Sequence, residues 1–60
     1  MYRVQLVEDK EVLKYKDFQD YDEAFNYSNS LISEIKEGRK ILLLENKTGK
    51  IIRKLEIEKS

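Results

Sequence analysis

Arg39-Lys40-Ile41-Leu42-Leu43-Leu44-Glu45-Asn46 sets four consecutive aliphatic residues between charged and polar flanks. Side chains alternate across a strand, so Ile41 and Leu43 serve one face while Leu42 and Leu44 serve the other. The run is far below a membrane span. As a strand it is apolar on both faces, which places it in the interior of a sheet with both sides covered. Immediately after it, Asn46-Lys47-Thr48-Gly49 is a turn signal, in which Asn opens a type I turn and Gly takes the left-handed position. Lys50 to Glu58 then returns as a partner strand. With a three-residue loop, Ile41 faces Leu55 and Leu43 faces Arg53 on one side. Leu42 faces Lys54 and Leu44 faces Ile52 on the other.

Upstream, Tyr21, Ala24, Phe25, Ser28, Leu31, Ile32 and Ile35 follow the spacing of one buried helical stripe. Asp20 is placed to cap the first amides, with Glu23 three residues on as in a capping box. Gly38 closes the helix where a positive φ is expected, and Lys36 suits the negative end of the helix dipole. Further upstream, Met1 to Glu8 alternates with the period of a half-buried strand. A two-residue turn at Asp9-Lys10 would set Leu6 against Leu13 and Val4 against Tyr15 on one face. The other face would then carry Arg3 against Lys16, Gln5 against Lys14 and Val7 against Val12.

These elements predict an α+β domain, β-β-α-β-β, with a four-stranded, mainly antiparallel sheet and one helix on one face. Order 2-1-3-4 keeps the two-faced strand inside and its neighbours antiparallel. The helix stripe then meets Tyr2, Val4, Leu6, Leu13, Tyr15, Ile41, Leu43, Leu55 and Ile57 in a single core. Phe18 belongs at the strand-to-helix corner, packed under the incoming helix, and Lys59-Ser60 reads as a frayed end.

Sixty residues make one domain, 1–60, and fill one core only barely. At this length, burial returns about what ordering the chain costs, so a small domain needs a staple. There is no Cys and no His. Disulfides and thiolate or imidazole metal sites are therefore unavailable, and a partner chain is the staple that remains. The same absence closes Ser-His and Cys-His nucleophiles. Asp20, Asp22 and Glu23 form the densest carboxylate cluster, but their place at a helix start already accounts for them. Gly38 and Gly49 form no phosphate-cradling loop. Neither an enzyme nor a cofactor is expected. No leader-like or membrane-spanning run is present, which points to the cytoplasm and away from a membrane.

Formal charge is zero, with 12 Lys or Arg against 12 Asp or Glu, but the distribution is uneven. From Asp17 to Ile35 every charge is acidic, five in all. From Lys36 to Lys54, seven basic residues stand against two acidic ones, a net +5. The helix covers one face of the sheet, leaving Val7, Val12, Leu42, Leu44 and Ile52 on the other as an apolar patch. Around it stand Arg3, Lys14, Lys16, Lys40 and Lys54. Such a patch is expected to bind a second copy, a dimer first of all, or another protein. Tyr27, on the polar side of the helix, is a candidate exposed anchor. The five basic residues are the candidate contacts for nucleic acid, the rival partner. Its weakness is that stacking aromatics are missing from that face unless a one-residue slip turns the tyrosines outward.

Asp20-Tyr21-Asp22-Glu23-Ala24 opening a helix after two strands, with Thr48-Gly49-Lys50-Ile51 opening the last strand, resembles small β-β-α-β-β domains of bacterial and phage proteins of unknown function. The resemblance spans most of the chain and carries no functional residue with it. Richness in Lys, Glu, Ile and Asn also looks like the product of an AT-rich genome, where short chains are frequent among phage and mobile elements. The expectation is a non-catalytic, self-associating interaction protein. It would act on a larger partner as adaptor or inhibitor, and a phage-type inhibitor of a host defence or regulatory system fits this size.

Overall fold

The computed structural model describes residues 1–36 and 38–56. Its elements are β1 (Tyr2–Glu8), β2 (Glu11–Phe18), α1 (Tyr21–Ser30), a short 3-10 turn (Ile32–Glu34), β3 (Arg39–Glu45) and β4 (Ile51–Glu56). Every neighbouring pair of strands is antiparallel, and the sheet order is β2-β1-β3-β4. The expected α+β architecture and strand order are therefore present. Ile57, expected in the core, and the end of the last strand at Glu58 lie outside the described residues, as does Lys59-Ser60.

The helix packs on the side of the sheet that carries the even positions of β1 and the odd positions of β3. Val4, Leu6, Ala24, Leu31, Ile41 and Leu43 form the buried core, flanked by Tyr2, Phe18, Tyr27, Ile35 and Leu55. Asp20 caps α1 by accepting from the Asp22 amide at 3.1 Å, which satisfies one of the donors that no earlier turn can reach. The helix ends sooner than the apolar spacing suggests. Asn26 to Ser30 is poor in helix formers, and the Ser28 and Ser30 hydroxyls donate back to the carbonyls of Phe25 and Tyr27, each at 2.6 Å. The chain then tightens into the 3-10 turn, with Glu34 N donating to Leu31 O at 2.8 Å. Leu31 stays buried, but Ile32, expected on the buried stripe, is turned out to solvent.

Arg53 ties the helix to the β4 side of the sheet. Its Nη1 donates to Ser28 Oγ at 3.0 Å and Asn29 Oδ1 at 2.8 Å, and its guanidinium lies 4.2 Å from the centre of the Phe25 ring. Ser28 is fully buried and has both a donor and an acceptor partner, so its hydroxyl carries no desolvation penalty.

Both turn glycines adopt positive φ, +87° at Gly38 and +73° at Gly49. Asp9 also does so, at +54°, and its amide donates to Gly38 O at 3.1 Å. The two-residue loop after β1 thus takes the mirror-type geometry that the right-handed twist of a hairpin favours, using Asp rather than Gly.

Each hairpin departs from its expected register by one residue. The first pairs Val7 with Val12 and Glu8 with Glu11 as expected, but a bulge at Leu13 then shifts β2, so that Leu6 faces Lys14, Val4 faces Lys16 and Arg3 faces Asp17. The straight register would have opposed Arg3 to Lys16. The bulge replaces that like-charge pair with an ion pair and brings Phe18 opposite Tyr2 on the helix side. Leu13 and Tyr15, expected in the core, are exposed instead. In the second hairpin Ile41–Leu55, Leu42–Lys54 and Leu43–Arg53 pair as expected. A bulge then sets Leu44 opposite Ile51, and Ile52 becomes the extra residue rather than the partner of Leu44.

Candidate docking surface on the open face of the sheet

No described element covers the face opposite the helix, and the strand pairings arrange it as three rows across four strands. Taken in the order β2, β1, β3, β4, the first row is Asp17, Arg3, Leu44 and Ile51. The middle row is Tyr15, Gln5, Leu42 and Lys54. The third is Val12, Val7, Lys40 and Glu56. Apolar residues therefore run diagonally, from the Val12–Val7 corner through Leu42 to the Leu44–Ile51 corner. The other two corners are charged.

Along that diagonal, Val12 is 45 % exposed, Leu13 40 %, Tyr15 58 %, Ile51 51 % and Ile52 42 %. Leu42 and Leu44 are half-buried by their neighbours. Val7, only 7 % exposed, forms the floor beneath Val12 rather than a contact of its own. The Leu13 bulge opens a shallow hollow of ≈ 490 Å³ lined by Arg3, Gln5, Val12, Leu13, Lys14 and Tyr15. At the opposite end of the diagonal, the bulge in β4 places two isoleucines side by side. The stripe thus has a recess at one end and a raised pair at the other.

Each charged corner is largely neutralised within the chain. Arg3 Nε donates to Asp17 Oδ1 at 2.7 Å and Nη2 to Oδ2 at 3.2 Å, while the guanidinium lies 4.5 Å from the centre of the Tyr15 ring. Asn46 Nδ2 adds a longer contact to Asp17 at 3.4 Å. The hydrogen bond from Arg3 holds the Asp17 carboxyl below its ordinary pKa, and the same bond raises that of Arg3. At the other corner Lys54 Nζ stands 3.5 Å from Glu56 Oε1.

Of the five basic residues expected on this face, Arg3, Lys40 and Lys54 are there. Lys14 and Lys16 are not, because the Leu13 bulge rotates both to the helix side. Lys14 pairs with Glu34 through contacts of 2.8 and 2.9 Å. Lys16 Nζ sits 5.4 Å from the Phe18 ring centre and 5.5 Å from that of Tyr27. Tyr27 is likewise not an exposed anchor: it is half-buried, with its ring centre 5.2 Å from that of Phe18. The residues that sequence reasoning missed are Leu13, Tyr15 and Ile51. The Arg3–Lys16 repulsion implied by a straight hairpin is the signal that would have found the first two.

Among the described residues, no group of three or more acidic side chains is placed to hold a metal ion, and no helix is long and apolar enough to cross a membrane. No protein-family model matches the chain, and no curated protein or solved structure shows significant similarity to it.

Proposed function

We propose that this chain is a cytosolic, non-catalytic protein-interaction module. It self-associates through the open face of its sheet and uses that face to act on a larger partner as an adaptor or inhibitor. One observation carries this reading: a continuous apolar diagonal, exposed at both ends, on a sheet whose other face already holds the core. Small chains without disulfides or metals gain stability by burying such a face against another chain. The Tyr15–Arg3 stack adds the two residue types that most often anchor interfaces. Because Asp17 already fixes the guanidinium, little side-chain entropy remains to be lost on binding.

Nucleic-acid binding through the same face is the second reading, favoured by the outward turn of Tyr15 as a stacking platform. It has less support, because only three of the five basic residues stand on the face and two of those are beside acids. Light scattering at high micromolar concentration tests the interaction reading. The wild type is expected to exceed the monomer mass and Leu44→Asp to return to it. A strict monomer that Leu44→Asp leaves unchanged would overturn self-association. A mobility shift of single-stranded DNA or RNA at low salt, lost in Tyr15→Ala, would favour the second reading.

A further inference from the structure

Resting on that reading, the geometry points to one occupant and one arrangement: a second copy, packed face to face with its strands crossing at about 90°, about a two-fold axis that runs across the apolar diagonal. The argument starts from the edges. β2 and β4 border the sheet, and each carries a bulge, at Leu13 and at Ile52. Bulges twist an edge away from a would-be neighbour, so extension by strand pairing is disfavoured. Face-to-face packing is the route left to a second copy.

The register then selects the angle. The diagonal crosses three strand spacings of about 4.8 Å while rising four residues of about 3.3 Å, so it lies at roughly 45° to the strands. A two-fold axis parallel to the strands would set Val12 on the partner's Glu56 and Val7 on its Lys40. An axis in the sheet plane but perpendicular to the strands would set Ile51 on the partner's Glu56 and Leu44 on its Lys40. Both bury charge against aliphatic side chains, which is costly. An axis at 45° lays stripe on stripe and turns the partner's strands through about 90°, one of the two stable ways for sheets to pack.

Two diagonal axes remain, and shape and charge separate them. An axis along the stripe would put each recess on the other recess and set Asp17 over the partner's Glu56. An axis across the stripe seats the Ile51–Ile52 pair of one copy in the hollow beside Val12 and Leu13 of the other, twice over, as an isologous interface requires. It also brings Arg3 beside the partner's Asp17 and Lys40 beside the partner's Glu56. The area suffices. A face of four seven-residue strands is roughly 400 Å² in outline. With projecting side chains it approaches the ~800 Å² that each partner gives to a stable interface.

The chain has no Cys, so single introduced cysteines report the arrangement directly. Val12→Cys and Ile51→Cys are prepared separately, then mixed and treated with a short thiol-reactive crosslinker. Circular dichroism confirms folding, and both sites are exposed, so the substitutions leave the core intact. The expected result is a covalent dimer in the mixture and none in either variant alone, because each Val12 lies roughly 20 Å from its own copy in this arrangement. Gln5→Cys alone should also link, since Gln5 lies near the axis. Self-linking of Val12→Cys would overturn the arrangement while leaving the open face as the interaction surface. A sedimentation mass equal to the monomer at every concentration, with no crosslink in any sample, would overturn the second copy as occupant. Loss of another bound protein or nucleic acid on Val12→Asp would then retain the face. If Val12→Asp leaves all binding unchanged, the interaction reading falls as well.

Discussion

Asp17 shows how one side chain couples the fold to the open face. Its carboxylate accepts two bonds from Arg3, and that guanidinium in turn lies over Tyr15, so three side chains are held in one plane-and-fork arrangement. Because the folded carboxyl has a pKa below the ordinary aspartate value, the unfolded chain binds the proton more readily. The ion pair therefore contributes its stability above the unfolded aspartate pKa and loses it as pH falls through the folded value. Carboxyl-resolved NMR titration should place the Asp17 midpoint below that of an unstructured aspartate, and Arg3→Gln should return it to the ordinary range. An unshifted midpoint in the wild type would show that the pair does not persist in solution. Lys14 and Lys16 make a related point, since their side chains follow a single inserted residue. Their composition was plain in the sequence, but their face was not.

At the scale of elements, most of the architecture was legible. The helix start at Asp20, the left-handed glycines and the two-faced strand β3 follow from local chemistry and from period alone. Asp20→Ala should cost about 1 kcal/mol, as loss of an N-cap acceptor usually does. Chemical denaturation would show this as a lower midpoint with an unchanged slope. The helix end and the two bulges were less legible. Apolar spacing continues through Ile35, yet the Asn- and Ser-rich last turn loses the competition with back-bonding hydroxyls, and Ile32 is exposed as a result. The bulges follow from cross-strand partners, which no single strand contains. Arg3 meets Asp17 rather than Lys16 only after Leu13 is inserted, and periodicity within β2 cannot reveal that. The candidate surface was therefore legible in its central strand, through Leu42 and Leu44, and misread at its edges, where Leu13, Tyr15 and Ile51 replace Lys14, Lys16 and the expected place of Ile52.

At the scale of the whole molecule, one fact organises the rest. Six residues form the buried core on the helix side, while a comparable set of aliphatic side chains faces outward on the other. Such a chain gains more from a partner than from any further internal contact. The register places the apolar residues on a diagonal, and that diagonal, rather than the amount of apolar surface, dictates how two copies would meet. The most direct test is isotope-filtered NMR on an equimolar mixture of labelled and unlabelled chains, which detects only contacts between copies. Cross-chain contacts from the methyl groups of Val12 and Leu13 to those of Ile51 and Ile52 are expected. Their absence, with tumbling characteristic of a single 7.2 kDa chain at high micromolar concentration, would contradict the account.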